Sequence, residues 1–342
     1  MRSIDRPFVL AGAVASAAWL AVSSPAAAET GPALYQLKAT ISLGAPDRWD
    51  YVVFNTDLDR VFVAHGDRVE VIDPRSDKVV GAVRGIPGGT HGVAIATGAG
   101  RGYSDDGHAG MAVAFDLKTL AVENTLPADQ DADAIAYDAA SGHVFVVNGD
   151  PGTLTVIDPK TNTVAATVKV GEKLEYLAPD GHGKLYVNGN GKGDLVRIDT
   201  ASDTVDAHWP MEGCDRPKGL AVDAASRRLF ASCVNDVLVV MNADTGAQVA
   251  RLPIGHGSDA VAYDARRKRV LSSNRDGTLT VIQQNGADDY AVVGSVHTMV
   301  SGRTMGLDPS TGRLYIAAGD APKDNAAIAA GSLKLLVFEP VR

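Results

Sequence analysis

Seven ionisable residues recur along the chain at intervals of 41 to 44 residues, and chemistry is most readily placed at these positions. They are called here the seven leading residues: Asp50, His91, Asp133, Glu175, Lys218, Asp259 and Arg303. The residues two and four places after each are mostly apolar, so the charged column is distinct from a buried core face. Acids and bases brought together in this way perturb one another's pKa values, as they do in a ligand site.

Two kinds of chemistry fit these residue types. In a binding site, Lys218 and Arg303 would hold a carboxylate or phosphate group, and the arginine would do so through two parallel hydrogen bonds. In an enzyme, His91 would act as a general base while Arg303 or Lys218 stabilised a developing oxyanion. The alternative to both is that the column is the solvated lining of a water-filled channel, in which the acids balance the bases.

A second group of side chains has the composition of a transition-metal site. Its members, near Asp50 in the predicted fold, are His65, His91, Asp105, Asp106 and His108. Imidazole and carboxylate ligands suit zinc, copper or nickel, although the spacing matches no compact motif such as His-Glu-x-x-His. The alternative is that 105–108 is a hydrophilic turn, which its Asp and Gly content explains. A divalent metal is the one cofactor that the sequence suggests.

Two cysteines occur in the chain, Cys214 and Cys233. An exported protein meets an oxidising compartment, so we expect a disulfide between them; two buried free thiols are the alternative. No Cys-x-x-Cys-His run is present, which argues against covalently attached c-type haem.

Two tryptophans and one insertion flank the leading residues. Trp49 precedes Asp50, and Trp209 lies shortly before the first cysteine; either would stack on a ligand or cover apolar surface between repeats. The segment 319–331 interrupts the last repeat, and it would form a mobile lid or a passive insertion.

A repeating fold must position all these residues. An aspartate or its equivalent closes a β-rich segment at a spacing of 41 to 43 residues, with a last spacing of 56, at positions 73, 116, 158, 199, 242, 283 and 339. In the third unit, 134–137, 144–148, 154–157 and 163–170 are β-rich runs separated by turn residues. A period near forty with this content predicts an all-β, seven-bladed β-propeller of four-stranded antiparallel blades.

The second strands of several repeats share a pattern, in Val144-Phe145-Val146-Val147-Asn148, Leu185-Tyr186-Val187-Asn188 and Leu314-Tyr315-Ile316. These segments resemble the repeats of YVTN-repeat, YncE-like periplasmic β-propellers, and the resemblance covers the chain after the first 28 residues. Blades two and five depart from the tetrapeptide, at 102–106 and 229–233. The resemblance implies the fold and leaves the activity open, because propellers include binding proteins, lyases, lactonases and electron-transfer subunits.

Both ends of the chain have predicted roles. Residues 1–28 resemble a signal peptide, because Arg2 and Arg6 precede a short apolar run and Ala26-x-Ala28 provides a cleavage site. We therefore expect a periplasmic protein in which residues 29–342 form one propeller domain. The last repeat supplies three strands, so the alternating segment 34–43 is expected to pair with it and close the ring.

Charge and missing motifs narrow the function. The chain has 32 Lys+Arg and 41 Asp+Glu, and a net charge of −9 disfavours nucleic-acid binding. No Gly-x-Ser-x-Gly elbow, metalloprotease helix or phosphate loop is present. We therefore expect a monomeric binding or interaction module without a membrane span, which takes a small anionic ligand or a periplasmic protein at its channel face. The alternatives are a lactonase- or lyase-like enzyme, with or without a metal, and an accessory subunit of a periplasmic redox enzyme.

Overall fold

Apolar and polar side chains alternate with a period of two throughout the chain, and this pattern produces strands. The computed structural model describes residues 34–341, and the predicted signal peptide and the predicted domain start at residue 29 lie outside the described residues. Apart from one 3-10 turn, Thr97–Ala99, the regular structure of 34–341 is β-strand. Within this range, no helix is long and apolar enough to cross a membrane.

Twenty-eight strands, β1 to β28 in chain order, make up this part of the chain. They are Tyr35–Ser42, Val52–Asn55, Arg60–His65, Arg68–Asp73, Lys78–Arg84, Val93–Ala96, Arg101–Asp106, Met111–Asp116, Val122–Pro127, Ala132–Asp138, His143–Asn148, Thr153–Asp158, Thr163–Lys169, Leu174–Pro179, Lys184–Gly189, Asp194–Asp199, Thr204–Pro210, Pro217–Asp223, Arg228–Cys233, Val237–Asn242, Gln248–Pro253, Ser258–Asp264, Arg269–Asn274, Thr278–Gly286, Asp289–His297, Thr304–Leu307, Leu314–Ala318 and Lys334–Pro340.

The strands form seven antiparallel four-stranded blades arranged in a ring. Blades one to six take four consecutive strands each, starting at β2, and the first strand of every blade is innermost. Blade seven has the order β26, β27, β28, β1, so the first strand of the described chain is its outermost member. Tyr35 lies opposite Pro340 and Ser42 opposite Lys334 in this antiparallel pair. The predicted seven-bladed fold, closed by an N-terminal strand, is confirmed.

The core is divided among the contacts between neighbouring blades. Seven clusters of buried apolar side chains occur in the described residues, one at each contact between successive blades. Between blades three and four, for example, Phe145 and Val156 pack against Leu185 and Val196, and all four are fully buried. Each blade therefore depends on two neighbours to keep its faces from water.

One turn design reverses the chain between the third and fourth strands of the blades. The carboxylate of Asp158 accepts the backbone N–H of Lys160 at 2.8 Å, and that of Asp199 accepts the N–H of Ser202 at 3.0 Å. Four residues after each aspartate, the chain adopts a φ of 54° at Asn162, a conformation that asparagine tolerates, and 53° at the equivalent aspartate. The recurring aspartate of the sequence repeat is thus the first residue of this turn.

Cys214 and Cys233 are joined by a disulfide, with their Cα atoms 5.3 Å apart. The first lies in the loop before β18, and the second ends β19 of the same blade. Both are buried in the cluster between blades four and five. The bond closes a loop with a sequence separation of 19 residues, so it restricts the unfolded chain.

The contribution of β1 to ring closure can be tested with two residues of that strand. Ile41 is 7% exposed and packs between blades seven and one, whereas Leu37 is 54% exposed. Ile41→Ala is expected to lower the free energy of unfolding by about 2 kcal/mol or more, because it leaves a cavity in this cluster. Leu37→Ala is expected to change it by less than about 0.5 kcal/mol. Thermal unfolding followed by circular dichroism measures both, and equal effects would contradict the role of β1.

Candidate functional site

The seven leading residues lie where the innermost strands begin, and in four blades these strands are irregular there. The antiparallel register shifts between Ala132/Ile135, Leu174/Leu177, Pro217/Leu220 and Ser258/Ala260. Such a bulge takes a side chain out of the normal alternation. Here it removes one charged residue per blade from the apolar faces between blades, at Asp133, Glu175, Lys218 and Asp259.

Two leading cations are bound by leading acids of the preceding blade. Lys218 Nζ donates a hydrogen bond to Glu175 Oε1, and Arg303 Nε donates to Asp259 Oδ2 at 2.7 Å. Asn190 Nδ2 occupies the other Glu175 oxygen at 2.6 Å. The predicted anion contact through Lys218 is therefore already taken by an internal ion pair. Ion pairs between neighbouring blades account for four members of the column.

His91 is held by Asp105, a buried acid on β7. The imidazole Nδ1 lies 2.6 Å from Asp105 Oδ2, and the backbone N–H groups of His91 and Gly92 also donate to this carboxylate. Burial disfavours the charged imidazole, but the hydrogen bond and charge of Asp105 raise the pKa of His91 to about 9. Arg48 Nη2 lies 3.1 Å from Nε2, a contact that favours the neutral ring. Both ring nitrogens thus have partners, so Arg48 would have to move before His91 could act as a general base.

Asp50 and Asp133 are the two leading acids with no cationic hydrogen-bond partner among the described residues. Burial raises the pKa of Asp50 to about 7, with the charge of Arg303 opposing the rise and that of Asp259 adding to it. Burial and the charge of Asp50 raise the pKa of Asp133 well above its usual range. Both shifts disfavour the charged forms, so these two acids are expected to ionise at higher pH than an exposed aspartate.

The centre of the ring is occupied by aromatic side chains at this level. Tyr51 belongs to blade one and Tyr176 to blade four, yet their ring centroids are only 4.7 Å apart. The two side chains therefore meet across the axis of the propeller. Burial, followed by the charges of Asp50 and Asp133, raises the pKa of Tyr176 to about 12. The two aromatic rings lie at the axis beside these acids and reduce their solvation.

A cavity of about 200 Å³ lies beside Arg303 and is partly open to solvent. It lies between the loop before β2, the turn between β23 and β24, the start of β26 and the segment between β27 and β28. Blades one, six and seven therefore all contribute to it. Its lining consists of Asp47, Arg48, Trp49, Arg275, Ser301, Arg303, Ala321, Asn325, Ala326 and Ile328.

Positive charge dominates the cavity wall. Arg48, Arg275 and Arg303 face one carboxylate among the lining residues, that of Asp47. This carboxylate is occupied, because its two oxygens accept the backbone N–H groups of residues 331 and 332 at 2.8 and 3.1 Å. Guanidinium groups donate hydrogen bonds and never accept them. The wall therefore offers donors and positive charge to whatever enters.

Two buried donors of the wall lack partners. Arg275 Nε and Trp49 Nε1 have no hydrogen-bond acceptor within residues 34–341. The guanidinium of Arg303 lies over the indole of Trp49, 5.2 Å from the ring centroid, which fixes both side chains at one edge of the cavity. A buried donor without an acceptor is costly, and an anionic ligand supplies acceptors.

The insertion in blade seven forms one side of the cavity. Ser301 Oγ accepts the backbone N–H of Gly319 at 3.0 Å, and Asp47 holds Gly331, so both ends of the insertion are attached. In its middle, Asn325 Oδ1 accepts a hydrogen bond from Arg275 Nη1 at 2.7 Å. The insertion thus lies on the cavity as a lid would, in contact with one of the three arginines.

The predicted metal ligands are not brought to one point. His65 is fully buried, with Nε2 2.6 Å from the carbonyl oxygen of Pro46. Asp106 accepts the backbone N–H of Gly88 at 3.2 Å, and His108 is exposed in the following turn. His91 and Asp105 do pair, but in the part of the chain that the structure describes the five side chains form no cluster of ligand atoms. The side chains are separated because consecutive residues of β7 and its turn face different surroundings, and a metal bound by these residues stays a prediction.

One predicted residue lies elsewhere than expected, and two cavity residues were missed by the sequence analysis. Trp209 lies on the outer strand β17, where Arg197 packs 4.9 Å from its ring centroid, so it is remote from the cavity. Arg48 and Arg275 were not singled out from the sequence, although both line the cavity. Their positions in the sequence could have indicated the cavity. Arg48 directly precedes Trp49, and Arg275 directly follows the second strand of its blade, where the turns of this face begin.

The raised pKa of Asp50 predicts a pH-dependent stability. Between the unfolded pKa of about 4 and the folded value of about 7, the folded protein keeps a proton that the unfolded chain releases. The stabilisation that Asp50 contributes is therefore fully present below pH 4 and is lost as the pH rises from 4 to 7. Asp50→Asn should raise the melting temperature by a few degrees at pH 8 and leave it unchanged at pH 4.

Asp116→Asn is the matched control for this measurement. Asp116 lies in an exposed turn, and hydrogen bonds from the Thr119 backbone and side chain lower its pKa. Its substitution should therefore destabilise the protein at neutral pH, the opposite sign. A lower melting temperature of Asp50→Asn at pH 8 would contradict the raised pKa of Asp50.

Comparison with known proteins supports the architecture. No family model and no curated protein sequence matches the chain. A chain of hydrazine synthase from Kuenenia stuttgartiensis shares the fold with a TM-score of 0.68 at 15% identity, over 78% of this chain and 92% of that one. The WD40 repeats of RRP9 align with a TM-score of 0.76 at 10% identity, over 90% and 100%. A chain of the mitotic checkpoint complex aligns with a TM-score of 0.74 at 15% identity, over 95% and 98%. These similarities establish a seven-bladed β-propeller, and the YVTN-repeat resemblance stays a prediction.

Proposed function

We propose that this chain is an exported periplasmic binding module of the YVTN-repeat type, which captures a small anion in the cavity between blades one, six and seven. The observation that carries the proposal is the lining, in which three arginines outnumber one already occupied carboxylate. Outside the lining, Asp259 binds Arg303 at 2.7 Å and Asp324 lies 3.9 Å from Arg275 Nε. The unpartnered donors Arg275 Nε and Trp49 Nε1 also support the proposal. The guanidinium and indole N–H groups of this lining are complementary to a group of acceptors alone, such as a carboxylate, phosphate or sulfate.

The size of the cavity limits the ligand. At about 200 Å³ it is smaller than the roughly 300–1,000 Å³ of typical pockets for drug-sized molecules. A small organic acid or an inorganic oxyanion fits this volume. Arginine at several walls allows bidentate contacts from more than one direction, which lysine does not provide. The expected ligand is therefore compact, with two or more oxygen acceptors.

The raised pKa values of the acids beneath the cavity favour anion capture. Asp50 lies close enough to Arg303 for each charge to shift the pKa of the other. While Asp50 is protonated, Arg303 is opposed by Asp259 alone at hydrogen-bond distance. Ionisation of Asp50 would add a second negative charge beside Arg303 and would repel the ligand. The partly buried carboxyl thus sets the pH range in which the arginine attracts an anion.

The arrangement favours binding over catalysis. A general base needs a free ring nitrogen, but both nitrogens of His91 have partners, Asp105 and Arg48. The second candidate cation, Lys218, is bound to Glu175. Within the described residues, no nucleophile and base meet in the cavity. The protein therefore acts on its ligand by holding it.

Arginine substitutions test the proposal. Sulfate, phosphate, acetate and succinate are screened by thermal shift, and the best probe is measured by isothermal titration calorimetry. Arg48→Ala and Arg303→Lys should each weaken its binding about tenfold or more, because each removes charge-assisted or bidentate hydrogen bonds. Arg48 is exposed and Arg303→Lys keeps the charge beside Asp259, so both variants should remain folded.

Arg75→Ala is the matched control, because it removes the same charge from a side chain that is 72% exposed and remote from the cavity. It should bind the probe as the unsubstituted protein does. Failure of all four anions to raise the melting temperature, or equal losses in the control, would overturn the anion site and leave a protein partner as the ligand of this face.

The role of Asp50 predicts a pH profile for binding. Sulfate keeps a constant charge between pH 6 and 8.5, so its affinity reports the protein alone. Affinity should fall as pH rises through about 7, where Asp50 ionises beside Arg303. In Asp50→Asn the fall should be smaller, because only His91 then loses charge near the cavity. Identical pH profiles of sulfate affinity in Asp50→Asn and in the unsubstituted protein would show that Asp50 does not control anion binding.

A further inference from the structure

A second site lies on blade four, away from the arginine cavity. Asp194 begins β16 and His208 lies on the neighbouring β17, where it is opposite Val196. Residues two apart on a strand share a face, so Asp194 and His208 project from the same face of the blade. Val196 on that face packs against blade three. The third residue, Glu172, comes from the loop that joins blade three to blade four.

The ligand atoms of these three residues converge. His208 Nδ1 lies 3.7 Å from Glu172 Oε1 and 3.9 Å from Asp194 Oδ2. All three atoms lie within 4.8 Å of one another, and theirs is the one such group found in residues 34–341. These separations are too long for hydrogen bonds. They are close to the edge of a tetrahedron around zinc, about 3.4 Å for ligands at about 2.1 Å.

The buried carboxylate of Glu172 provides an independent sign of a missing partner. Its side chain is only 2% exposed, and Oε1 has no hydrogen-bond donor in the described part of the chain. The other oxygen, Oε2, accepts the backbone N–H of Lys192 at 3.0 Å, so the group is held in place. An oriented, buried acceptor without a donor is costly unless a ligand satisfies it.

Glycine makes room for this carboxylate. A Cβ atom at Gly189 would lie 2.5 Å from Glu172 Oε2. The backbone of β15 therefore approaches the carboxylate more closely than any side chain would allow. The nearest cation is Lys192 Nζ, 3.9 Å from Oε1, on a side chain that is 59% exposed. An exposed lysine at this distance compensates a buried charge weakly.

We propose that Glu172, Asp194 and His208 bind a zinc ion that joins blade three to blade four. Two carboxylate oxygens and one imidazole nitrogen supply three ligands, and a water molecule completes the tetrahedron at the open side. The imidazole favours zinc or a similar transition metal over magnesium and calcium, which prefer oxygen ligands alone. The ion satisfies Glu172 Oε1 and cross-links the loop between the blades to two strands of blade four.

Zinc titration of the purified protein tests this site. After removal of metals with a chelator, Zn²⁺ is added at pH 7.5 and binding is measured by competition with a chromophoric chelator. One ion per chain should bind, and the melting temperature should rise with zinc concentration. His208→Ala and Asp194→Asn should each weaken binding at least tenfold, while both stay folded because neither side chain is fully buried. Lys192→Ala should tighten binding, because the lysine competes with the ion for Glu172.

His256→Ala is the matched control. His256 also lies between two acids, 2.9 Å from Asp236 and 3.6 Å from Asp324, but it meets them with different ring nitrogens, so they cannot share one ion. This variant should bind zinc normally. The proposal is overturned if the unsubstituted protein binds no stoichiometric zinc, or if zinc binding is lost in His256→Ala or His91→Ala and kept in His208→Ala.

Discussion

Each blade of this protein has two apolar faces, and neither can be exposed to water without a large loss of hydrophobic stabilisation. In an open row of blades, the two end faces would remain uncovered. The ring removes both ends, and β1 completes the last blade by pairing with β28. The clusters on both sides of blade seven include β1 or its neighbours and depend on this closure. The positions of the charged residues follow from it, because closure brings seven innermost strands around one axis.

The centre of such a ring is a small space shared by seven strands, and its chemistry follows from how that space is filled. Tyr51 and Tyr176 meet across the axis and leave less space for water near the leading acids. Poor solvation raises the free energy of the charged forms, so acids and bases of neighbouring blades form ion pairs. The unpaired Asp50 retains a proton at pH values where an exposed aspartate has lost it. Arg303 connects this region to the cavity, because it binds Asp259 on one side and lies over Trp49 on the other.

The blades, the closing strand and the column of leading residues could be predicted from the sequence, because period and alternation are local properties. What the sequence could not supply was the direction of each side chain in the assembled ring. The bulges at 132–135 and 174–177 and the contact between Tyr51 and Tyr176 depend on packing between blades. The convergence of Arg48 and Arg275 has the same origin. The surroundings of His65 were unpredictable for a related reason, since its ring nitrogen meets a carbonyl oxygen from the loop after β1.

Ring closure also lowers the conformational entropy of the chain. The contacts of Asp47 with residues 331 and 332 span 284 and 285 residues, and those of Arg303 with Trp49 and of Thr304 with Asp50 span 254. Forming any one of them first would require the chain to close a loop nearly as long as itself. Once β1 pairs with β28, the entropy of closing this long loop has already been lost. Every later contact between the two ends of the described chain then forms without that entropic cost. Loss of the pairing between β1 and β28 would therefore also destabilise the wall of the arginine cavity. The opposing sides of that cavity are held together by the same closure of the ring.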